Sequence, residues 1–327
     1  MDALSDVLKS VHLEGAVFLN AEFTAPWCIR AKFGLESVKT QLTGADHVVF
    51  FHYLTEGRCK VRLDDDSSTI DAFAGDLVLF LNEDRHLLGS DLRLMPVEAS
   101  HLIEADGTAN DDLIRLRHGG GGEATRFVCG YLACSRNLCR PLLEALPRFL
   151  RIPVGDGPAG TLLRELLRAG VSESLSCRPG AESVLAKLSE LMFVEAMRRY
   201  VEDLPPEGRG WLAGVRDPQV GRTLALLHAD PGRQWNVEDL ARKVALSRSA
   251  LAERFATLVG EPPMKYLKRW RLALAAQSLR GGNQAIGLVA EHSGYDSEAA
   301  FNRAFKSEFG LPPATWRRNV RLSTRPP

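Results

Sequence analysis

Asn302, Arg303 and Lys306 lie on a short segment near the C-terminus that also carries Phe301, Phe305 and Phe309. On a helix turning about 100° per residue, Phe305 and Phe309 fall about 40° and 80° from Phe301. Asn302, Lys306, Ala299 and Arg303 then span about 100° to 200°. The aromatic side packs against a partner helix. The other side presents an amide and two cations with small residues between them. Asn pairs with adenine and Arg with guanine through two-point hydrogen bonds, while Lys suits a phosphate. A charged outer face is the default for any core-packed helix, so this face alone does not decide between solvation and base reading.

A repeat and a charge imbalance decide it. Ser247, Leu251, Phe255, Val259, Gly260, Pro262 and Pro263 recur fifty residues later as Ser297, Phe301, Phe305, Phe309, Gly310, Pro312 and Pro313, and Tyr266 answers to Trp316. Each unit reads as helix, tight turn, second helix, Gly stop and Pro-Pro, with "VEDLARKV" and "AIGLVAEH" as the first helices. Ser247 and Ser297 are placed to cap the second helices. Gly260 and Gly310 suit the left-handed residue past a helix end. Helix-turn-helix units are therefore expected at about 237–259 and about 286–309. From Trp211 onward there are 18 Lys+Arg against 10 Asp+Glu, a net of +8 in a chain whose formal net charge is zero. An acidic body with a basic C-terminal third implies an anionic partner for that third.

The first unit turns Ser249, Ala252 and Glu253 to its reading side, and Glu253 suits cytosine N4. Arg248, Arg254, Lys268 and Lys306 are the expected phosphate contacts. Between the units, "PMKYLKRWRLALAAQSLRGG" reads as one rigid helix from Pro263 to a stop at Gly281. It would fix the separation of two helices entering successive major grooves, ~34 Å apart.

The 327 residues admit one to three domains. No run is long enough to span a bilayer. The start, "MDALSDVLKSVHLEG", lacks the order of a secretory signal, and six cysteines without one suggest a reducing cytosol. A cytoplasmic protein with no membrane partner is expected. The Pro- and Gly-rich "EDLPPEGRGWLAGVRDP" sets a domain boundary. Residues 1–205 form one domain, strands over about 10–135 and helices over about 140–204. Residues 206–217 form a linker, and 218–320 an all-α domain, making the fold two-domain α+β. "DDDSS" reads as a turn and "RHGGGGEATRF" as a flexible loop or tight hairpin. The helix from Ala181 to Leu204 shows two apolar groups. One centres on Leu188, with Val184, Leu185, Leu191, Met192 and Ala196. The other comprises Phe193, Met197, Tyr200 and Leu204. Two stripes suggest two partners, one being the same helix of a second subunit in an isologous homodimer.

With those residues in place, 217–320 resemble the DNA-binding domain of the AraC/XylS family of bacterial transcription regulators. The second unit keeps the family's signature as Ala290, Gly294, Tyr295, Ser297, Phe301, Arg303, Phe305, Lys306, Phe309, Gly310 and Pro313. The resemblance implies base reading by Ser249, Ala252, Glu253, Glu298, Ala299, Asn302 and Arg303. It also implies double-stranded promoter DNA and RNA polymerase as partners and dimers made through the sensor domain; an activator is expected, with repression as the alternative. The family would have Gly where Ala245 or Leu246 stands in the first turn.

The N-terminal strand rhythm resembles the cupin-type sensor domain, a small β-barrel, found on one branch of this family. The second cupin metal motif survives only as Gly75 and His86, with Leu81 and Glu83 in place of its Pro and Gly. The first would put ligands at Thr43, Ala45 and Phe50, none able to hold a metal, so the three-His-plus-carboxylate site is absent. No cofactor is assigned. His52 and His86 are read either as a pair facing an effector pocket or as ordinary hydrogen-bonded barrel histidines. Cys129, Cys134 and Cys139, five apart, do not have zinc-finger spacing; they are either redox-sensing or buried thiols. The expected function is a one-component transcription regulator, not an enzyme, with a small-molecule or redox effector. The alternatives are a cupin metalloenzyme fused to a DNA-binding domain and an effector-independent DNA-binding protein.

Overall fold

The computed structural model describes residues 3–11, 14–32, 45–105, 114–154, 157–174, 180–205 and 207–323. The chain opens with helix α1 (Ala3–Val11). The strands β1 (Glu14–Thr24), β2 (Cys28–Ala31), β3 (His47–Glu56), β4 (Arg58–Leu63), β5 (Thr69–Phe73), β6 (Asp76–Phe80), β7 (His86–Gly89) and β8 (Val97–Glu98) follow. Helix α2 (Ala99–Ala105) precedes β9 (Ile114–Gly119) and β10 (Ala124–Cys134). Then come α3 (Arg136–Leu143), β11 (Phe149–Pro153), α4 (Gly157–Ser174) and α5 (Ala181–Glu202).

Two sheets face each other, one in the order β11-β6-β3-β10-β1-β9 and the other β5-β4-β7-β2-β8. Strand β3 shows how the sequence builds this barrel. Val48, Phe50 and Leu54 point between the sheets, while Val49, Phe51 and Tyr53 point outward into a second core. Helix α5 covers that outer face with Leu185, Leu188, Met192 and Phe193. A strand buried on both sides reads as a continuous apolar run, "HVVFFHYL", rather than as an alternation. Gly15 lets α5 close on β1: a Cβ there would lie 2.6 Å from the Ala186 carbonyl oxygen.

Several local expectations need revision. Strand β11 interrupts the stretch expected to be helical, because its Leu150 and Ile152 extend the first sheet beside β6. Helix α2 lies within the region expected to be strands, and α1 precedes it. The "RHGGGGEATRF" segment is not a tight hairpin, since β1 lies between β9 and β10 and pairs with both. The turn at "DDDSS" joins the antiparallel pair β4 and β5.

The C-terminal part is helical: α6 (Trp211–Arg216), α7 (Pro218–Ala229), α8 (Val237–Lys243), α9 (Arg248–Val259), α10 (Pro263–Gly281), α11 (Ile286–His292), α12 (Glu298–Phe309) and α13 (Pro313–Ser323). Helix α6 occupies half of the segment expected to be a linker, and its Trp211 is buried. One contiguous core runs from the sensor helices into this domain. Helix α1 packs on α7, burying Ala3, Leu4 and Val7.

The two repeats fold alike. The Ser247 hydroxyl accepts from the Ala250 amide and the Ser297 hydroxyl from the Ala300 amide, each at 3.2 Å. Gly260 and Gly310 take left-handed φ values of 87° and 75°. The turns end the same way, with Leu246 N donating to the Ala241 carbonyl and Tyr295 N to the Ala290 carbonyl. They differ at the left-handed residue. In the second turn it is Gly294, φ 73°, whose Cβ would lie 2.6 Å from the Gly232 carbonyl oxygen. In the first it is Ala245, φ 56° and exposed. An alanine held there carries strain that glycine relieves, less the entropy glycine loses on folding. Ala245→Gly is therefore expected to stabilise the domain by about 0.5–1 kcal/mol. Urea unfolding checks it, and an unchanged or lower midpoint contradicts it.

Candidate nucleic-acid interface and sensor cavity

Phe301 and Phe305 are fully buried, and their rings lie 5.5 Å apart. The Phe309 ring lies tilted 4.4 Å from Phe305, and Trp316 meets the Phe305 ring edge-on at 5.7 Å. This aromatic seam fixes α12, leaving Glu298, Ala299, Arg303 and Lys306 exposed and Asn302 half-buried on the opposite side. In α9, buried Leu251 and Phe255 leave Ser249 and Glu253 exposed and Ala252 half-buried. All seven residues expected to read bases lie on the outward faces of these two helices. Helix α10, 19 residues and so about 28 Å long, connects the units.

Of the expected phosphate contacts, Lys268 and Lys306 are exposed. Arg254 is engaged within the chain: Nε and Nη2 donate to Asp217 Oδ2 at 2.9 and 2.5 Å. Asp217 also caps α7 by accepting from the Gln219 and Val220 amides. Burial works to raise its carboxyl pKa, but the bonds from Arg254 and these amides prevail and hold it below its ordinary value. Arg248 pairs with Glu238 at 2.9 Å on the surface, an exposed contact that a phosphate can displace.

Arg271 was not singled out by sequence reasoning. From α10 its Nε donates to the Pro231 carbonyl at 2.6 Å and its Nη2 to the Arg233 carbonyl at 2.7 Å, and Nη1 lies 3.4 Å from the Gly294 carbonyl oxygen. It thus ties the loop before the first unit to the turn of the second. Its partners lie 23 to 40 residues away in sequence, beyond any local pattern. The sensor also touches the second unit: Arg280 donates to Asp46 at 2.6 Å, and Arg140 to Glu308 at 3.2 Å. A cleft of about 310 Å³ between α3 and α9–α10 is edged by Glu144, Glu261, Lys265 and Arg269.

Inside the barrel, His52 and His86 meet, with their Nε2 atoms 3.1 Å apart. His52 Nδ1 lies 2.8 Å from Cys129 Sγ, and His86 Nδ1 lies 3.0 Å from the Asp84 carbonyl oxygen. One tautomer assignment satisfies every contact. His86 Nδ1–H donates to the carbonyl, His52 Nε2–H donates to His86 Nε2, and the Cys129 thiol donates to His52 Nδ1. Burial, and then the neighbouring imidazole, push the His52 pKa well below its ordinary value; burial takes His86 down to about 4 and raises the Cys129 thiol. The chain is neutral at physiological pH, and no ring nitrogen is left over for a metal. A narrow apolar cavity of about 20 Å³ adjoins His52 and Cys129 but not His86.

Cys134 and Cys139 are buried too; the Cys139 thiol is raised by burial and by its hydrogen bond with Cys134. Buried thiols with raised pKa are unreactive. Phe50, where a cupin motif would place a ligand, packs on Tyr131 instead, while Thr43 lies outside the described residues.

A cupin family model matches residues 2–202, and a helix-turn-helix domain model matches residues 240–319. The chain is 33% identical over 320 residues to a Streptomyces lividans protein described as an AraC-like transcription regulator, across 98% of this chain and 99% of that one. It is 28% identical over 322 residues to the RCS-specific HTH-type transcriptional activator RclR of Escherichia coli K12, again across 98% and 99%. Among solved structures, the DNA-binding domain of AdpA in complex with a target DNA matches 33% of this chain and 96% of its own at 28% identity, with a TM-score of 0.32.

Proposed function

Since the chain belongs to the AraC-type DNA-binding transcription regulators with an N-terminal cupin domain, we propose that α9 and α12 read a promoter sequence and that the barrel senses an effector. The observation that carries the first part is the pair of capped helices, each anchored by buried aromatic or aliphatic residues and open on the side that bears Ser249, Glu253, Asn302 and Arg303. Asn302 and Arg303 supply most of the base discrimination. Ser249, Ala252, Glu253, Glu298 and Ala299 allow close approach or read weakly. Lys268, Lys306 and Arg248 hold phosphates, while Arg254 positions α9 through Asp217.

The protein acts as a homodimer in the cytoplasm and activates transcription through RNA polymerase. No described helix is long and apolar enough to cross a membrane. It is not an enzyme in this reading. The His52–His86 chain is closed on itself by Cys129 and Asp84, leaving no free base to take a proton from a substrate. The burial and raised pKa of Cys129 and Cys139 favour a small-molecule effector over a redox one.

Arg303→Ala and Asn302→Ala test the base-reading assignment. Each is expected to lose about 1–3 kcal/mol of discrimination at one base step. Lys268→Ala is expected to weaken binding to all sequences alike and to flatten its salt dependence. Footprinting and competition binding with point-mutated operators distinguish the two behaviours. Unaltered sequence preference in Arg303→Ala would overturn the assignment.

A further inference from the structure

The cavity beside His52 has a chemistry that selects a ligand class, and the inference drawn from it rests on the barrel being the effector site. Its wall includes Leu19, Phe23, Ile29, Leu88, Leu116 and Phe127. Of its lining residues, only His52 and Cys129 carry polar side-chain atoms. Those atoms are already committed: the Cys129 thiol to His52 Nδ1, and His52 Nε2 to His86. No lining side chain is charged or holds a hydrogen-bonding atom in reserve. A carboxylate, phosphate or ammonium buried there would lose its hydration with nothing to replace it, a cost that few contacts could offset.

We propose that this cavity takes a small uncharged apolar molecule, one aromatic ring or a short hydrocarbon chain, admitted by displacement of α2. Three small residues, Ala21, Ala31 and Ala99, leave width where larger side chains would fill the barrel. As it stands the volume, about 20 Å³, holds no more than a single water, and an apolar cavity stays dry. A benzene-sized ligand requires roughly 150 Å³. The extra room must come from a wall that can yield. Within each sheet the strands are tied to their neighbours by ladders, but Ala99 and Ile103 enter from α2, a single short helix set against β2, β8 and β9. Moving α2 outward enlarges the cavity without breaking a strand pairing.

The experiment uses the full-length protein with toluene, n-hexane and benzoate as probes, read by calorimetric titration and by the shift in thermal unfolding. Toluene or hexane is expected to bind at least tenfold more tightly than benzoate. Ile103→Ala, which deepens the cavity, is expected to tighten toluene binding several-fold. Ala31→Phe, which fills it, is expected to abolish binding with native circular dichroism retained; should that variant not fold, Ile103→Ala decides. Benzoate binding that equals or exceeds toluene binding and is lost in Ala31→Phe would overturn the ligand class while leaving the barrel as the effector site. Toluene binding indifferent to both substitutions would place the ligand elsewhere, for instance in the charged interdomain cleft, and would overturn both readings. No binding of any probe to the wild type or to Ile103→Ala would also overturn the proposal.

Discussion

Phe305→Ala is expected to unfold the second helix-turn-helix unit while the sensor and first unit stay folded. The reason is the partition of the cores. Leu272, Ala275, Ala276, Leu279, Val289, Ala290, Phe301 and Phe305 form a cluster of their own, separate from the core that the sensor shares with α6 to α9 and the first half of α10. Phe305 is its centre, within ring contact of Phe301, Phe309 and Trp316. Truncating a buried Phe costs about 3–5 kcal/mol, a large share of the 5–15 kcal/mol that holds a whole domain. So small a cluster cannot absorb that loss. Hydrogen exchange provides the measurement: amides in α11 to α13 are expected to lose protection, while those in β3, β10 and α7 keep it. Operator affinity would then fall to that of the first unit alone. A single unfolding transition shifted as a whole would contradict the partition. It would mean that the bridges Arg280–Asp46 and Arg140–Glu308 couple the second unit to the sensor more strongly than its own core binds it together.

The same partition explains how much could be read from the sequence. The repeat was legible because its signals are local. A serine cap, aromatics four apart and a left-handed glycine are each specified within one or two turns, and the helices appear where those signals put them. The meeting of His52 with His86 depended on barrel topology, which the strand rhythm conveyed only coarsely. Long-range events were not legible. Nothing near Arg254 says that Asp217, 37 residues upstream, will hold it, and nothing in "MDALSDVLKS" says that its apolar face will dock on α7. Strand β11 was hidden for a related reason. "RFLRIP" alternates like a strand, but five residues between helical stretches gain strand character only from pairing with β6.

Helix α5 offers the sharpest revision and the second large prediction. Most of both apolar groups is used within the chain: Leu185, Leu188, Met192 and Ala196 of the first are buried, and so are Phe193 and Met197 of the second. Met197→Glu with Tyr200→Glu is therefore expected to unfold the sensor rather than to yield a monomer, because it places a charge in a closed core. What remains outside is a different surface. Leu191, 46% exposed, and Val184 lie seven residues apart on the outer side of α5, about 20° from alignment. Leu162, 59% exposed, and Leu166 lie one turn apart on α4, which packs along α5. Four of the large exposed apolar side chains thus gather on one helical pair, where scattered single ones would call for no explanation. A second copy of the same pair, related by a twofold axis, would cover all four at once in an isologous contact. Leu162→Glu with Leu191→Glu is expected to convert the proposed dimer to a folded monomer, since both positions face water in the single chain and tolerate charge there. Pairing two half-sites raises avidity by about 10²–10⁴, so operator binding is expected to weaken by a factor in that range while half-site affinity is unchanged. Sedimentation or light scattering gives the mass, and circular dichroism the fold. A native spectrum with an undiminished mass would show that this surface is not the contact.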